Sequence, residues 1–217
     1  MRVHCQCTDD YRKYLTAFVE PAMKAQGLEL VVHWFEKVIG APWSGLLPVR
    51  LKLIQSLLDA GEPFIFTGVD VYYRPHMPIL PTVEKAMRGV DIVAQGDGMG
   101  MTCADFMAFN PTEATKWWWK AVTQLAPQCA WLIDQEAENR LLGMINAYRL
   151  PDAEFFNLCM VPKLKLNALP GWLPEPEDIP RNAKLVHAAC VLPGEKWAVL
   201  SRVKEICEQQ DAERPTD

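Results

Sequence analysis

The chain predicts an α/β fold: a mostly parallel mixed sheet with helices on both faces. Three observations carry this. Runs at 3–7, 28–34, 63–67, 91–95 and 106–109 are apolar or alternating and have strand length. Segments of helical periodicity separate most of them, the order that builds parallel sheets. Glycines at 27, 61 and 89 close the helical segments.

In order along the chain, Val3, Cys5 and Cys7 alternate with His4 and Gln6 and form a first strand rather than a signal peptide. Thr8, Asp9 and Asp10 supply helix N-cap candidates. Tyr11, Tyr14, Leu15, Phe18, Val19 and Ala22 keep helical spacing, and Pro21 is expected to kink or end that helix. Leu47, Leu51, Ile54 and Leu58 mark a second helix, after which the strand 63–67 leads to Asp70. A short helix at 82–88, the strand 91–95, a glycine-rich turn at 96–100 and the strand 106–109 follow. Asn110 as N-cap, Pro111 in the first turn and Glu113 three on start the helix that carries Trp117, Trp118 and Trp119. Consecutive helical residues point in different directions, so at least one of these indoles is core. Residues 134–147 read as a helix, 162–180 with five prolines as a long irregular loop, 183–187 as a last strand and 194–210 as a last helix. The expected organisation is one domain over 1–210 and a polar, frayed tail over 211–217.

With 217 residues, half of them apolar, one sizeable core is available. A formal charge of −5 argues against a nucleic-acid binder, which would show a basic stripe. No run reaches the about 18 apolar residues of a membrane span. The seven cysteines are scattered, and only Cys5 and Cys7 are close, on one face of a strand. The spacing does not suit zinc, so reduced, partly buried thiols in a cytoplasmic protein are expected.

The run 64–73 holds the sharpest functional signal: an apolar strand stops at one carboxylate, Asp70, followed by Val71, Tyr72 and Tyr73. An acid at the mouth of a sheet is where an α/β protein presents a metal or phosphate ligand. The segment resembles the Asp-x-Asp stretch of nucleotide-diphospho-sugar transferases with the GT-A fold, but Gly68 stands where the first aspartate is expected. Further stretches carry the resemblance in order. Residues 91–95 read Asp-Ile-Val-Ala-Gln, and 103–115 read Cys-Ala-Asp-Phe-Met-Ala-Phe-Asn-Pro-Thr-Glu-Ala-Thr. Asp134, Gln135, Asn139, Leu141 and Leu142 match a helix of that family, and His187 with Gly194 and Lys196 matches its C-terminal signature. Ala189 replaces the usual asparagine there, and Asp105 replaces a glycine.

The resemblance implies a GT-A-like domain with a divalent cofactor, Mn²⁺ or Mg²⁺, held by Asp70 and His187. Gly194 and Lys196 would grip the diphosphate. Thr8, Asp10, Tyr11, Lys52 and Gly68 would complete the nucleotide-sugar site, Tyr11 by stacking on the base; Arg50 is the alternative to Lys52. Asp105, Asp134 and Gln135 would face the acceptor, one carboxylate serving as general base in an inverting enzyme. Structural roles compete at each position. Tyr11 also fits the core stripe of its helix, His187 a satisfied core histidine, Asp134 an N-cap and Lys52 a solvated helix face.

The implied activity is sugar transfer from a nucleotide-diphosphate sugar, UDP-sugar favoured and GDP-sugar possible, to a hydroxyl on a saccharide or protein. The prolines of 162–180 would form a lid. The rival is a degenerate transferase that keeps the fold as a nucleotide-binding or protein-interaction module, because Gly68 and Ala189 each remove a polar group. A nucleotidyltransferase is disfavoured, since residues 7–10 are not a glycine-rich basic loop.

Overall fold

The computed structural model describes residues 1–36, 47–98, 100–129, 133–162, 164, 170–189 and 191–214. Cys190, residues 215–217 of the expected tail and part of the expected 162–180 loop lie outside them.

A six-stranded sheet is built from β1 (Arg2–Cys7), β2 (Leu30–Trp34), β3 (Phe64–Thr67), β5 (Ile92–Gly96), β6 (Thr102–Phe109) and β7 (Ala147–Arg149) in the order β2-β1-β3-β6-β5-β7. The β1–β2, β1–β3 and β5–β7 pairs are parallel, whereas β6 runs antiparallel to β3 and β5 on either side of it. A second sheet, order β4-β9-β8, combines β4 (Val71–Tyr73), β8 (Phe155–Asn157) and β9 (Leu185–His187). Gln95 joins the sheets, its amide donating to the carbonyls of Phe155 and Phe156 at 3.1 and 3.0 Å.

Strand alternation divides the core between two faces. Val3, Cys5, Ile65, Val93, Phe106 and Ala108 pack under Leu15 and Val19, α2 (Glu20–Ala25) and α4 (Leu80–Ala86), while α1 (Arg12–Tyr14) gives Tyr14 to the core of the small sheet. Phe64, Phe66, Ile92, Met107 and Phe109 pack under α3 (Leu47–Ala60), α5 (Glu113–Leu125) and α6 (Ile133–Leu141). The last helix, α7 (Lys196–Ala212), covers the small sheet through Val199, Leu200, Val203 and Ile206.

Several expectations change for physical reasons. Pro21 does not end its helix: a π turn, Leu15–Val19, precedes it and Pro21 opens α2, where its missing N–H costs little. The N-cap of α5 is Thr112, whose hydroxyl accepts from the Thr115 amide at 3.1 Å, while the Asn110 side chain donates to the carbonyls of Met87 and Val90. Helix α6 stops at Leu141, and Ala147 belongs to a strand beside Ile92. The expected tail boundary at 211 falls inside α7, which runs to Ala212. Trp118 and Trp119 are fully buried and Trp117 is exposed. Cysteines 5, 7, 103, 129 and 207 are free and buried, whereas Cys159 is disulfide-bonded, against the expectation of reduced thiols throughout.

Asp211 has a structural task. Arg74, completely buried after β4, pairs with the Asp211 carboxylate and donates to the carbonyls of Arg181 and Cys207 and to Gln210 Oε1. Arg74→Met leaves these acceptors without their donor. It is expected to lose about 3–5 kcal/mol in urea unfolding, and a loss under about 1 kcal/mol would refute a structural role for the cluster.

On the opposite edge His4 and His33 stack with ring centroids 5.3 Å apart, and Nδ1 of His4 lies 3.0 Å from Nε2 of His33. Burial, then the neighbouring ring, lowers His4 from 6.5 to about 4, so the folded protein keeps it neutral. The unfolded chain takes up the proton first as pH falls. His4 therefore contributes stability that is complete above pH 6.5 and is lost toward pH 4. The expected loss is about 1–2 kcal/mol after solvent screening, absent in His4→Gln, as read from unfolding midpoints across that range.

Candidate active site

The chemistry gathers where β3 ends. Gly68, Val69 and Asp70 follow the strand, and β4 begins at Val71, which pairs with His187 at the end of β9. The Ala188 amide donates to the Asp70 carbonyl at 3.0 Å, so strand pairing brings Asp70 and His187 together across more than half the chain. The antiparallel strand β6 carries Cys103 and Asp105 to the same place, and the Gly68 amide donates to the Asp105 carbonyl at 2.7 Å. Lys196, first residue of α7, donates to Asp70 Oδ2. Arg50, in the first turns of α3, enters from the other face of the sheet.

These residues meet at a cavity of about 250 Å³ whose lining includes Gln6, Thr8, Tyr11, Arg50, Asp70, Asp105 and Lys196. Thr8 makes no side-chain cap hydrogen bond and lines the cavity. Tyr11 has both expected characters: it packs on the core and lines the cavity. Gly68 is in the lining, whereas Lys52 is exposed on the outer face of α3 and Arg50 takes the basic position beside the cavity. Asp10 and Gly194 are exposed and outside the lining.

Of the three residues expected on the acceptor side, only Asp105 reaches the cavity. Asp134 is buried behind Arg50, its Oδ2 3.3 Å from Nε, and sits within the first turn of α6 rather than at its N-cap. Gln135 donates to Asp97 Oδ2 at 3.1 Å and accepts weakly from the Ala104 amide. Sequence reasoning missed Cys103. Its spacing of two from Asp105 was the available signal, but it requires a strand that begins at Thr102 rather than 106.

Charge balance governs the cavity floor. Burial would raise the Asp70 carboxyl, yet Lys196 and His187 hold it well below the usual carboxylate range. Burial opposes the charge on Lys196, and Asp70 more than compensates. Arg50 donates to Asp105 Oδ1 at 2.9 Å and to the Ala104 carbonyl, and lies 5.1 Å from the centre of the Phe66 ring. Burial and then Asp134 push Glu138, behind this group, well above its ordinary value, which favours its neutral form. Its carboxyl oxygens have no hydrogen-bond partner among the described residues.

His187 is 1 % exposed, with Nδ1 3.3 Å from the Cys103 sulfur. Its Nε2 lies 3.6 Å from Asp70 Oδ1 and 3.5 Å from Asp105 Oδ2, too far for a hydrogen bond to either. A buried nitrogen between two carboxylate oxygens, all held apart, suits a divalent cation that accepts imidazole and carboxylate ligands. Burial disfavours charge on the ring, but Cys103 and Asp70 beside it hold its pKa well above the ordinary value, while burial pushes the Cys103 thiol up.

No protein-family profile and no curated protein sequence matches the chain. Solved structures do. A glycosyltransferase involved in glycosylating the major capsid of PBCV-1 aligns over 98% of this chain and 100% of its own, at 13% identity and TM-score 0.61. The galactosyltransferase LgtC, solved with donor and acceptor sugar analogues, aligns over 100% of this chain and 98% of its own, at 13% identity and TM-score 0.55. The bifunctional glycosyltransferase WbbM aligns over 87% of this chain but 45% of its own, at 11% identity and TM-score 0.60. The fold is that of the GT-A glycosyltransferases.

The Arg50 cluster makes a separate prediction. Arg50→Met leaves Asp105 and Asp134 without their shared cation and is expected to lose about 3–5 kcal/mol in chemical denaturation. Glu138→Gln keeps a neutral group of the same shape and is expected to change stability by less than about 1 kcal/mol. The reverse order would show that Glu138, not Arg50, holds the cluster together.

Proposed function

We propose that the protein is a glycosyltransferase that binds a nucleotide-diphosphate sugar in this cavity and passes the sugar to a hydroxyl acceptor. The observation that carries the reading is the convergence of Asp70, His187 and Lys196 at the carboxyl end of β3 in a GT-A fold. Asp70 and His187 would hold Mn²⁺ or Mg²⁺, which when bound offsets charge on the diphosphate and on the departing nucleotide.

The protein's own groups have distinct tasks. Lys196 places an ammonium beside Asp70 and can turn it to the diphosphate, for which it is a compact point charge. Tyr11, Thr8 and Gln6 line the side of the cavity beyond the carboxyl end of β1, where an aromatic face and polar groups suit a nucleoside. Arg50 is fixed by Asp105 and Asp134, so it contributes a positioned positive potential at the cavity wall. Asp134 is sealed from the cavity, which removes it from direct proton transfer with an acceptor and gives it the task of orienting Arg50. UDP-sugars are the first donors to examine and GDP-sugars the second, with a saccharide or protein hydroxyl as acceptor.

A second reading keeps binding without turnover. It is favoured by Gly68, which supplies no carboxylate beside Asp70. The two readings share the nucleotide site and differ in whether sugar leaves the donor.

Melting temperature with UDP, GDP and their sugars, with and without Mn²⁺, tests the shared site. One nucleotide should raise it, and more so with the ion. Lys196→Ala should weaken that nucleotide by roughly 10- to 100-fold, as expected for one charge-assisted contact. Nucleotide binding unchanged in Lys196→Ala would displace the donor from this cavity. Donor hydrolysis or transfer separates the enzyme from the silent binder.

A further inference from the structure

The Asp-x-Asp pattern expects two acids on one strand, and this chain has Gly68 and Asp70. The missing carboxylate has a counterpart on the neighbouring strand. Thr67 pairs with Phe106 in the β3–β6 ladder, and one residue on the Gly68 amide bonds the Asp105 carbonyl. A Cβ at Gly68 would lie 3.3 Å from Asp105 Cβ, 3.4 Å from its Cγ and 3.0 Å from Asp70 Oδ1. The Asp105 side chain thus fills the space that an aspartate at 68 would need.

One oxygen of each carboxylate faces the same ring nitrogen of His187. Arg50 occupies Oδ1 of Asp105 and leaves Oδ2 facing His187 Nε2 at 3.5 Å. Lys196 occupies Oδ2 of Asp70 and leaves Oδ1 facing the same nitrogen at 3.6 Å. That nitrogen is buried and has no hydrogen-bond partner among the described residues.

We propose that Asp105 supplies, from β6, the carboxylate that Gly68 lacks, and that Asp70, Asp105 and His187 together bind a divalent cation. The inference deepens the cation site of the proposed function and rests on that reading. Two carboxylate oxygens and one imidazole suit Mn²⁺, and three protein ligands leave coordination positions for phosphate oxygens. Among the described residues, Cys103, Asp105 and His187 have ligand atoms within 4.8 Å of one another, without Asp70. The Cys103 sulfur, however, faces Nδ1 on the other side of the ring. It is placed to fix the orientation of the imidazole, as a partner behind a metal ligand does.

Gly68 then becomes a requirement of Asp105 rather than a loss. Gly68→Asp alone should crowd both carboxylates and weaken the cation. The exchange Gly68→Asp with Asp105→Gly moves the acid back to β3 and should recover part of the binding.

The test is Mn²⁺ binding to the purified full chain without nucleotide, by calorimetry and by the electron paramagnetic resonance of free ion. Far-UV circular dichroism and a cooperative melt establish that each variant is folded. Asp105→Asn, which keeps the shape of the side chain, should bind Mn²⁺ at least about tenfold more weakly. Asp105→Glu should retain more affinity than Asp105→Asn, which separates a ligand from a fold-supporting residue. Parent affinity in Asp105→Asn overturns the proposal, as does no Mn²⁺ binding by the parent chain. Binding lost in Cys103→Ser but kept in Asp70→Asn also overturns it, because the ion would then sit on Cys103. If Mn²⁺ binds through Asp105 but no nucleotide binds, this inference stands and the transferase reading falls. If nucleotide binds with the ion and Asp105 is indifferent, the reverse holds.

Discussion

Asp70 is the point on which the site depends. It follows a short strand, yet its backbone receives the residue after β9 and its carboxylate receives the first residue of the last helix. Three segments distant in sequence thus close on one side chain. The contact is buried, so its charges interact strongly, and the same burial makes any missing partner costly. That constraint explains why Arg50, Lys196 and the raised His187 accompany Asp70 and Asp105 in so small a volume.

The antiparallel strand β6 is the second architectural requirement. A parallel neighbour would point its carboxyl end the same way as β3 and place its later residues at the mouth. Because β6 runs the other way, its early residues, Cys103 and Asp105, arrive there instead. The rest of β6 lies deep in the sheet and supplies Phe106, Met107 and Phe109 to the two core faces. One strand therefore serves both core and site.

Much of the fold was legible because it is local. Alternation in β1 and helical spacing in α3 and α7 are patterns within a single segment, and Gly27, Gly61 and Gly89 adopt the positive φ expected of residues that close helices. The three-residue strands β4, β7 and β8 were not legible, since they are too short to show a period and exist through partners far along the chain. The site divides in the same way. Asp70, His187 and Lys196 stand in ordered motifs, and they do meet. The sequence motif points Asp105 toward the acceptor, whereas its nearness to Asp70 and His187 follows from β3–β6 register, which no single segment records. Lys52 and Arg50 could be separated only by the face each presents, and burial decides for Arg50.

The mooring of α7 has a dynamic consequence. This helix of 17 residues, about 25 Å long at 1.5 Å per residue, carries Lys196 at one end and Asp211 at the other. Arg74 pins the far end, and a continuous apolar face holds the middle. The helix is thus a fixed mast rather than a swinging arm. Release of Lys196 from Asp70 toward an arriving phosphate therefore needs only rotation about its own side-chain bonds, with the helix left in place.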